Sequence, residues 1–154
     1  MSEDSSKTIK LVEWDFNVIQ KEDIKIYDEF IRKSRCPANL WLSNFAYMWA
    51  LSRSKKNTLL WKIIDDMLVT FALSFKNILY LFCLPFGDAG HEKLIDVLLI
   101  SLNYCRQWNG GDRNSSVIKM INDDQLAFLC KSPRFGEHFT KRTWVGIERH
   151  LDID

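Results

Sequence analysis

The sequence is poor in the residues that interrupt packed structure, with 6 glycines and 3 prolines among its 154 residues. This scarcity excludes a flexible linker or a low-complexity tract of any length. Hydrophobic residues make up 47% of the chain and aromatic residues 13%, which is typical of a globular protein and not of a disordered one. A chain of this length buries about 70% of the surface that its unfolded form exposes. We therefore expect one domain with a substantial core.

An excess of charge of one sign is also missing, because 21 basic residues face 20 acidic ones. DNA-binding domains are usually plainly basic, so we expect no DNA partner. The metal-ligand pairs that would indicate a metal site are missing as well. No Cys-x-x-Cys pair occurs, and the three histidines lie far apart in the chain. The N-terminus, MSEDSSK, lacks the features of a signal peptide, and the four cysteines are widely spaced. We therefore expect a reduced, cytoplasmic setting.

One apolar run is long enough to raise the question of a membrane span. Residues 67–86 carry a single charge, Lys76, near their midpoint. A lysine at the centre of a lipid-facing helix costs about 2.5–3.5 kcal/mol, and the β-branched and aromatic content of the run favours strands. We predict no membrane span, and instead two buried strands joined by a turn at residues 74–77.

The periodicity of the apolar residues predicts a mixed α+β domain over residues 8–154, after a disordered tail at residues 1–7. Helices are expected at residues 22–34, 39–53, 91–108 and 123–131. Strands are expected at residues 8–19, 58–64, 67–73, 78–83, 116–121 and 143–149. The short turns between the second, third and fourth strands predict an antiparallel meander, so the sheet should be mostly antiparallel and flanked by helices.

Two of the helices have informative apolar patterns. In the helix at residues 39–53, the side chains of Trp41, Phe45, Met48 and Trp49 are expected to share one face towards the core. The helix at residues 91–108 is apolar over much more than the usual stripe. Either other elements of the domain cover it, or it contacts a second domain or subunit.

Several short segments resemble one known family. Residues 42–49 (LSNFAYMW), 65–68 (DDML), 84–87 (LPFG) and 135–144 (FGEHFTKRTW) are similar to the first half of a two-GNAT family. This is the phosphatidylglycerol lysyltransferase C-terminal-like family of unknown function. Two details differ from the family pattern: the loop holds the single proline Pro85, and the spacing from Asn44 to Trp49 is one residue longer. The resemblance implies a GNAT-like fold, and a second GNAT-type domain or a second copy of the chain as partner.

The resemblance also directs attention to residues 84–90, between a strand and the long helix. GNAT domains that bind acetyl-CoA hold its pyrophosphate with a Q/R-x-x-G-x-G/A loop and the helix dipole. In this sequence Gly87 and Gly90 are three residues apart, no Gln or Arg precedes them at the matching distance, and Asp88 would repel a phosphate. We expect Asp88 to act as the N-cap of the helix and no cofactor to be bound. If acetyl-CoA or another acyl-CoA is bound, the candidate residues are Phe86, Gly87 and Gly90.

The candidates for acid–base chemistry are Tyr104, Glu137 and His138. In GNAT-type acyl transfer the nucleophile is the substrate amine, so the protein supplies positioning and one base. Cys36 follows Arg35, which could lower the pKa of its thiol. We instead favour a buried cysteine that ends the helix.

Two basic clusters stand out, and each is either a solvated face or an RNA contact. The first holds Lys131, Arg134, Lys141 and Arg142, which could contact a tRNA because the lysyltransferase relatives use aminoacyl-tRNA. The second holds Arg53, Lys55, Lys56 and Lys62.

Taken together, these features predict a GNAT-like domain without a working acyl-CoA site that forms the structural or partner half of an acyl or aminoacyl transferase. Two alternatives remain open: a stand-alone acyl-CoA-dependent N-acyltransferase, and a non-catalytic protein-interaction module on the same fold. The sequence leaves open whether the chain is an enzyme.

Overall fold

The computed structural model describes residues 10–39, 41–112 and 114–139. A four-stranded antiparallel sheet lies at its centre, and its strands follow one another in chain order. The strands are β1 (Asn17–Val18), β2 (Asn57–Ile64), β3 (Met67–Ser74) and β4 (Leu79–Leu81). Helices flank this sheet, so the predicted α+β class is confirmed, as is the antiparallel meander of β2, β3 and β4.

The helices are α1 (Ile24–Lys33), which follows a 3₁₀ turn at Lys21–Asp23, then α2 (Phe45–Ser52), α3 (His91–Trp108), α4 (Asp123–Leu129) and α5 (Pro133–His138). The core has two parts, one on each face of the sheet. Leu60, Phe71 and Leu98 belong to the part that contains α3, whereas Tyr27, Met48 and Ala72 belong to the part that contains α1 and α2. Because both faces are covered, β3 is buried from Met67 to Leu73, which explains its unbroken apolar sequence.

The β2–β3 hairpin turns at Asp65 and Asp66, which have φ angles of 49° and 63°. Two consecutive residues with positive φ match the right-handed twist of the flanking strands, and aspartate tolerates this conformation better than most residues. The turn sets the register in which Ile64 pairs with Met67 and Asn57 with Ser74.

The predicted first strand at residues 8–19 was largely wrong. Residues 10–13 are helical, and the strand is confined to Asn17–Val18. Asp15, with a φ of 58°, separates the two segments. The β-forming residues of this stretch form an aromatic cluster instead: the rings of Trp14 and Trp108 lie 5.3 Å apart, centroid to centroid, and those of Phe16 and Phe71 lie 4.9 Å apart.

The predicted strand at residues 116–121 was also wrong. Only Ile118 makes a bridge, parallel to Leu81 of β4, and Met120 breaks the extended course with a φ of 62°. The predicted strand at residues 143–149 and the predicted tail at residues 1–7 lie outside the described residues. The bridge nevertheless shows that the chain passes from β4 through α3 and returns parallel to β4. This crossover places the N-terminus of α3 beside the loop that follows β4.

Helix boundaries differ where capping chemistry overrides apolar spacing. The helix predicted at residues 39–53 begins only at Phe45, because the side chain of Asn44 accepts a hydrogen bond from the backbone N–H of Ala46, 2.9 Å away. Trp41 consequently lies outside the helix and is 67% exposed, so it does not join the core face. The sequence prediction also missed α5, although Ser132 followed by Pro133 is a readable helix start.

The apolar surface of α3 is mostly covered by the domain itself. Leu94, Ile95 and Leu98 are buried, and the partly buried Leu99 and Leu102 pack against the same core. Ile100, 43% exposed, is the large apolar side chain that α3 leaves open. The first of the two alternatives for this helix is therefore the correct one. Among the described residues, no helix combines the length and the apolar character that crossing a bilayer requires.

Candidate functional site

The loop from β4 to α3 is tied to the rest of the domain by its own backbone. Phe86 and Leu68 exchange two backbone hydrogen bonds, each 2.9 Å long. The next N–H, that of Gly87, donates to Oγ of Ser34 at the end of α1, also over 2.9 Å. Two consecutive N–H groups of the candidate phosphate loop therefore already have acceptors within the protein.

The glycine at position 87 has a structural explanation. Its φ is 149°, in the region that side-chain-bearing residues rarely adopt. A Cβ atom at this position would lie 3.3 Å from Cγ of Met67 and 3.4 Å from the carbonyl oxygen of Asp66. Close approach to the start of β3 is thus sufficient reason for this glycine, with no cofactor involved.

The predicted role of Asp88 was wrong. The N-cap of α3 is Gly90, which has no side chain to cap the helix. Asp88 lies two residues too early for its carboxylate to reach the first-turn N–H groups. Its Oδ1 instead accepts a hydrogen bond from Nε of Arg35, 2.6 Å away, and both side chains are more than 60% exposed. The loop therefore carries an exposed ion pair between Arg35 and Asp88.

The space in front of α3 is open at Gly90. A Cβ atom built on this residue would meet nothing within 4 Å. The first N–H groups of a long helix carry partial positive charge, which favours an anion. The three cofactor candidates are therefore brought together in one loop, but only the Gly90 end of that loop offers unobstructed space.

A cavity of about 150 Å³ lies behind this loop. Leu84, Pro85 and Phe86 form one wall. The other walls come from the end of α1, residues 36–38, Ser43 and Gln125. Pockets for drug-sized ligands measure about 300–1,000 Å³, so this cavity could hold at most a fragment of a coenzyme.

The polar groups that line the cavity are largely engaged with the chain. Gln125 is buried in α4, and its Nε2 donates to the carbonyl oxygen of Pro37 over 3.1 Å. The Ser34 hydroxyl accepts from Gly87 and donates to the carbonyl oxygen of Phe30. The sequence did not single out Ser34 or Gln125, because each finds its partner through a contact between segments that are distant in the chain.

The thiol of Cys36 also lines the cavity. Burial raises its pKa to about 12, so the thiol is neutral at physiological pH. This agrees with the interpretation of Cys36 as a buried cysteine at a helix end and not with that of a thiol activated by Arg35. Cys83 and Cys105 are buried as well, and desolvation likewise raises the pKa of each to about 12.

The acid–base candidates are not brought together. Tyr104 lies half-buried on α3, with its ring 6.1 Å from that of Trp14 and with Nζ of Lys62 4.4 Å from its ring centroid. Glu137 and His138 are exposed at the end of α5. An ion pair between Arg134 and Glu92 fixes α5 at the other end of α3, and at 1.5 Å per residue Glu92 lies about 18 Å along the helix from Tyr104.

The first basic cluster is partly neutralised. Arg134 donates from Nη1 to Oε2 of Glu92 over 2.7 Å, and from Nη2 to Oδ1 of Asp96. These two carboxylates raise the pKa of the guanidinium, while the Ser132 hydroxyl and Arg134 lower the pKa of Glu92. Lys131 lies with its Nζ 5.3 Å from the ring centroid of Phe128. The predicted contacts Lys141 and Arg142 lie outside the described residues.

In the second basic cluster, one residue is buried and the other three are exposed. Lys62 is only 8% exposed, and its Nζ donates to the carbonyl oxygen of Trp14 over 2.9 Å. This lysine therefore caps the end of the helical turn at residues 10–13 instead of facing solvent. Arg53, Lys55 and Lys56 are exposed in the connection between α2 and β2.

Within the part of the chain that the structure describes, no three His, Cys, Asp or Glu side chains converge in a way that could hold a metal ion. Comparisons with family models, with curated proteins and with solved structures each find no match to this chain.

Proposed function

We propose that this chain is a GNAT-like domain without a working acyl-CoA site, and that it forms the structural or partner half of an acyl or aminoacyl transferase. One observation carries the first part of this proposal. The N–H groups of Phe86 and Gly87, which would face a pyrophosphate, donate to Leu68 and Ser34 instead. Leaving a buried donor without its acceptor costs about 1–3 kcal/mol, so an anion would have to displace contacts that stabilise the fold.

Electrostatics support the same conclusion. A pyrophosphate placed at the loop would approach the exposed carboxylate of Asp88, and two like charges 4 Å apart in water repel by about 1 kcal/mol. Arg35 already occupies that carboxylate, so its cation is not free to offset a phosphate charge. The positions of the named acid–base candidates also fit a domain that contributes structure and not chemistry, since Tyr104 and the pair Glu137–His138 lie at opposite ends of α3.

The partner role rests on exposed apolar surface elsewhere than on α3. Trp41 is 67% exposed and lies 5.6 Å from the ring of Tyr47, centroid to centroid. Large apolar side chains left open in this way favour a protein partner when they cluster. We propose a second GNAT-type domain or a second copy of this chain as that partner. A tRNA acceptor would contact Lys131, Lys141 and Arg142, while Arg134 is held by two carboxylates.

A second candidate function is favoured by the cavity and by the open helix end. A stand-alone N-acyltransferase could place an acyl or thiol end of its coenzyme in the 150 Å³ space beside Phe86. Its phosphates would then lie in front of Gly90, at the positive end of α3. This arrangement differs from the usual GNAT loop in using the helix terminus alone, without the N–H of Gly87.

A thermal melt with and without millimolar acetyl-CoA tests the proposal. A ligand at 100 times its dissociation constant adds about 2.7 kcal/mol to the stability, a rise of roughly 5–10 °C for a domain of this size. We expect no rise. A clear rise would overturn the proposal in favour of the acyltransferase, provided that it disappears in Gly90→Asp. That variant places a carboxylate where the phosphates would lie, and an aspartate N-cap is favourable for the helix.

The partner half of the proposal needs its own readout. Sedimentation velocity over a range of concentrations should show self-association that weakens in Trp41→Ser. The matched control is Ile100→Ser, which removes an exposed apolar side chain from α3 instead. A rigorous monomer at all concentrations would leave a second, different domain as the remaining partner. If the chain is instead a non-catalytic protein-interaction module, its partner should be a protein that is not a transferase.

A further inference from the structure

The end of the sheet that is farthest from the Asp65–Asp66 turn carries a concentrated positive charge. Two connections meet there, the one between α2 and β2 and the turn between β3 and β4. The backbone N–H of Phe75 donates to the carbonyl oxygen of Lys56 over 3.0 Å, which fastens one connection to the other. We call this surface the basic tip, and it consists of Arg53, Lys55, Lys56, Phe75, Lys76 and Ile78.

Acidic residues are absent from the chain around the basic tip. Residues 39–64 and 67–87 contain no aspartate or glutamate. The two acids between these ranges, Asp65 and Asp66, lie at the opposite end of the hairpin, about 23 Å away along the strands. The neighbouring end of α3 carries Arg106, and Asp112 is the acidic residue that follows this helix in the chain. The four cations of the tip therefore keep their positive potential, undiminished by an ion pair among the described residues.

The centre of the basic tip is apolar. Phe75 is 69% exposed and Ile78 is 39% exposed, on either side of Lys76 and Asn77. The aromatic ring of Phe75 is exposed to solvent beside the ammonium group of Lys76, whose Nζ lies 5.8 Å from the ring centroid. The turn is closed by a hydrogen bond of 2.9 Å from the N–H of Asn77 to the carbonyl oxygen of Ser74, which places these two apolar side chains at the end of the hairpin, beside the cations.

We propose that the basic tip is a docking site for an anionic bilayer surface. Lipid phosphates and carboxylates complement the four cations, and Phe75 and Ile78 can enter the interface while the cations stay at the headgroup level. The location at a hairpin turn, with Phe75 as its exposed ring, favours this partner over a single-stranded nucleic acid. Nucleic acids bind in basic grooves with several exposed rings for stacking, whereas the second ring near the tip, Trp49, is only partly exposed and has the Arg53 guanidinium 5.7 Å from its centroid.

Vesicle co-sedimentation of the full chain tests the proposal. The probe is a vesicle of equal parts phosphatidylcholine and phosphatidylserine, with pure phosphatidylcholine for comparison. We expect binding to the anionic vesicles only. Each cation near such a surface is worth about a five-fold change in the partition coefficient, so Lys55→Gln with Lys56→Gln should lower it about 25-fold. Phe75→Ser should lower it on the order of ten-fold by removing the inserted ring.

The matched control is Lys21→Gln with Lys25→Gln, which removes the same charge from exposed positions outside the tip. This variant should bind anionic vesicles nearly as well as the parent chain, and circular dichroism confirms that each variant is folded. Equal losses in the two double variants would overturn the proposal, because binding would then follow net charge alone. Absence of binding to anionic vesicles would overturn it as well. So would binding of a single-stranded RNA homopolymer with the same residue dependence in place of vesicle binding.

Discussion

The Ser34–Gly87 hydrogen bond is the contact on which the interpretation of the loop depends most, and Ser34→Ala tests it. Gly87 is buried, and its N–H has the Ser34 hydroxyl as acceptor over 2.9 Å. Removing that oxygen leaves a buried donor unsatisfied, which costs about 1–3 kcal/mol. For a domain of this size each kcal/mol lowers Tm by about 2–4 °C.

Urea denaturation followed by tryptophan fluorescence measures the loss through the shift in midpoint at constant slope. Ser54→Ala is the matched control, because the exposed Ser54 hydroxyl accepts from the N–H of Lys56 over 3.3 Å and water can replace it. We expect the control to change the free energy of unfolding by less than about 0.5 kcal/mol. Equal effects of the two substitutions would refute the reasoning, since the N–H of Gly87 would then be free to hold an anion.

Three further predictions concern the two loop glycines, Arg134 and Cys36. Gly87→Ala should destabilise the fold by about 1–3 kcal/mol because of its positive φ. Gly90→Ala should cost less, at most about 1 kcal/mol in the same urea experiment, because it has open space around it and loses only the preference for glycine at a helix N-cap. Arg134→Gln should partly flatten the acid side of the pH–stability profile measured by urea denaturation, because the Ser132 hydroxyl, the larger cause of the lowered Glu92 pKa, remains. The pKa of Glu92 is lowered from 4.5 in the folded state, so its contribution is present above that pH and is lost as the pH falls through the lowered value. Cys36 should react slowly with a thiol reagent at neutral pH, because burial raises its pKa to about 12; fast reaction with native protein would contradict that assignment.

The strands of the sheet could be predicted where a short sequence pattern determined the position of each one. The unbroken apolar sequence of β3 follows from burial on both faces, and the Asp65–Asp66 turn fixes the register of the hairpin. The first strand was not predictable, because the β-forming residues at its start are used in an aromatic cluster with Trp108. Tertiary packing overrode local propensity at that point.

One part of the sequence argument about the loop was wrong. The spacing of Gly87 and Gly90 argued against a phosphate site, but the expected N-cap role of Asp88 did not occur. The contacts that occupy the loop involve Ser34 and Arg35, which lie 53 residues away from their partners. Pairings of this range leave no periodic trace in a sequence, so the occupancy of the loop could be seen only in three dimensions.

Calorimetric titration of acetyl-CoA into the full chain tests the central claim most directly, because it measures binding without reference to stability or activity. We predict that neither the parent chain nor Gly90→Asp gives the saturable heat of acetyl-CoA binding. Saturable binding to the parent chain that is lost in Gly90→Asp would contradict it. That result would assign a working acyl-CoA site to the N-terminus of α3.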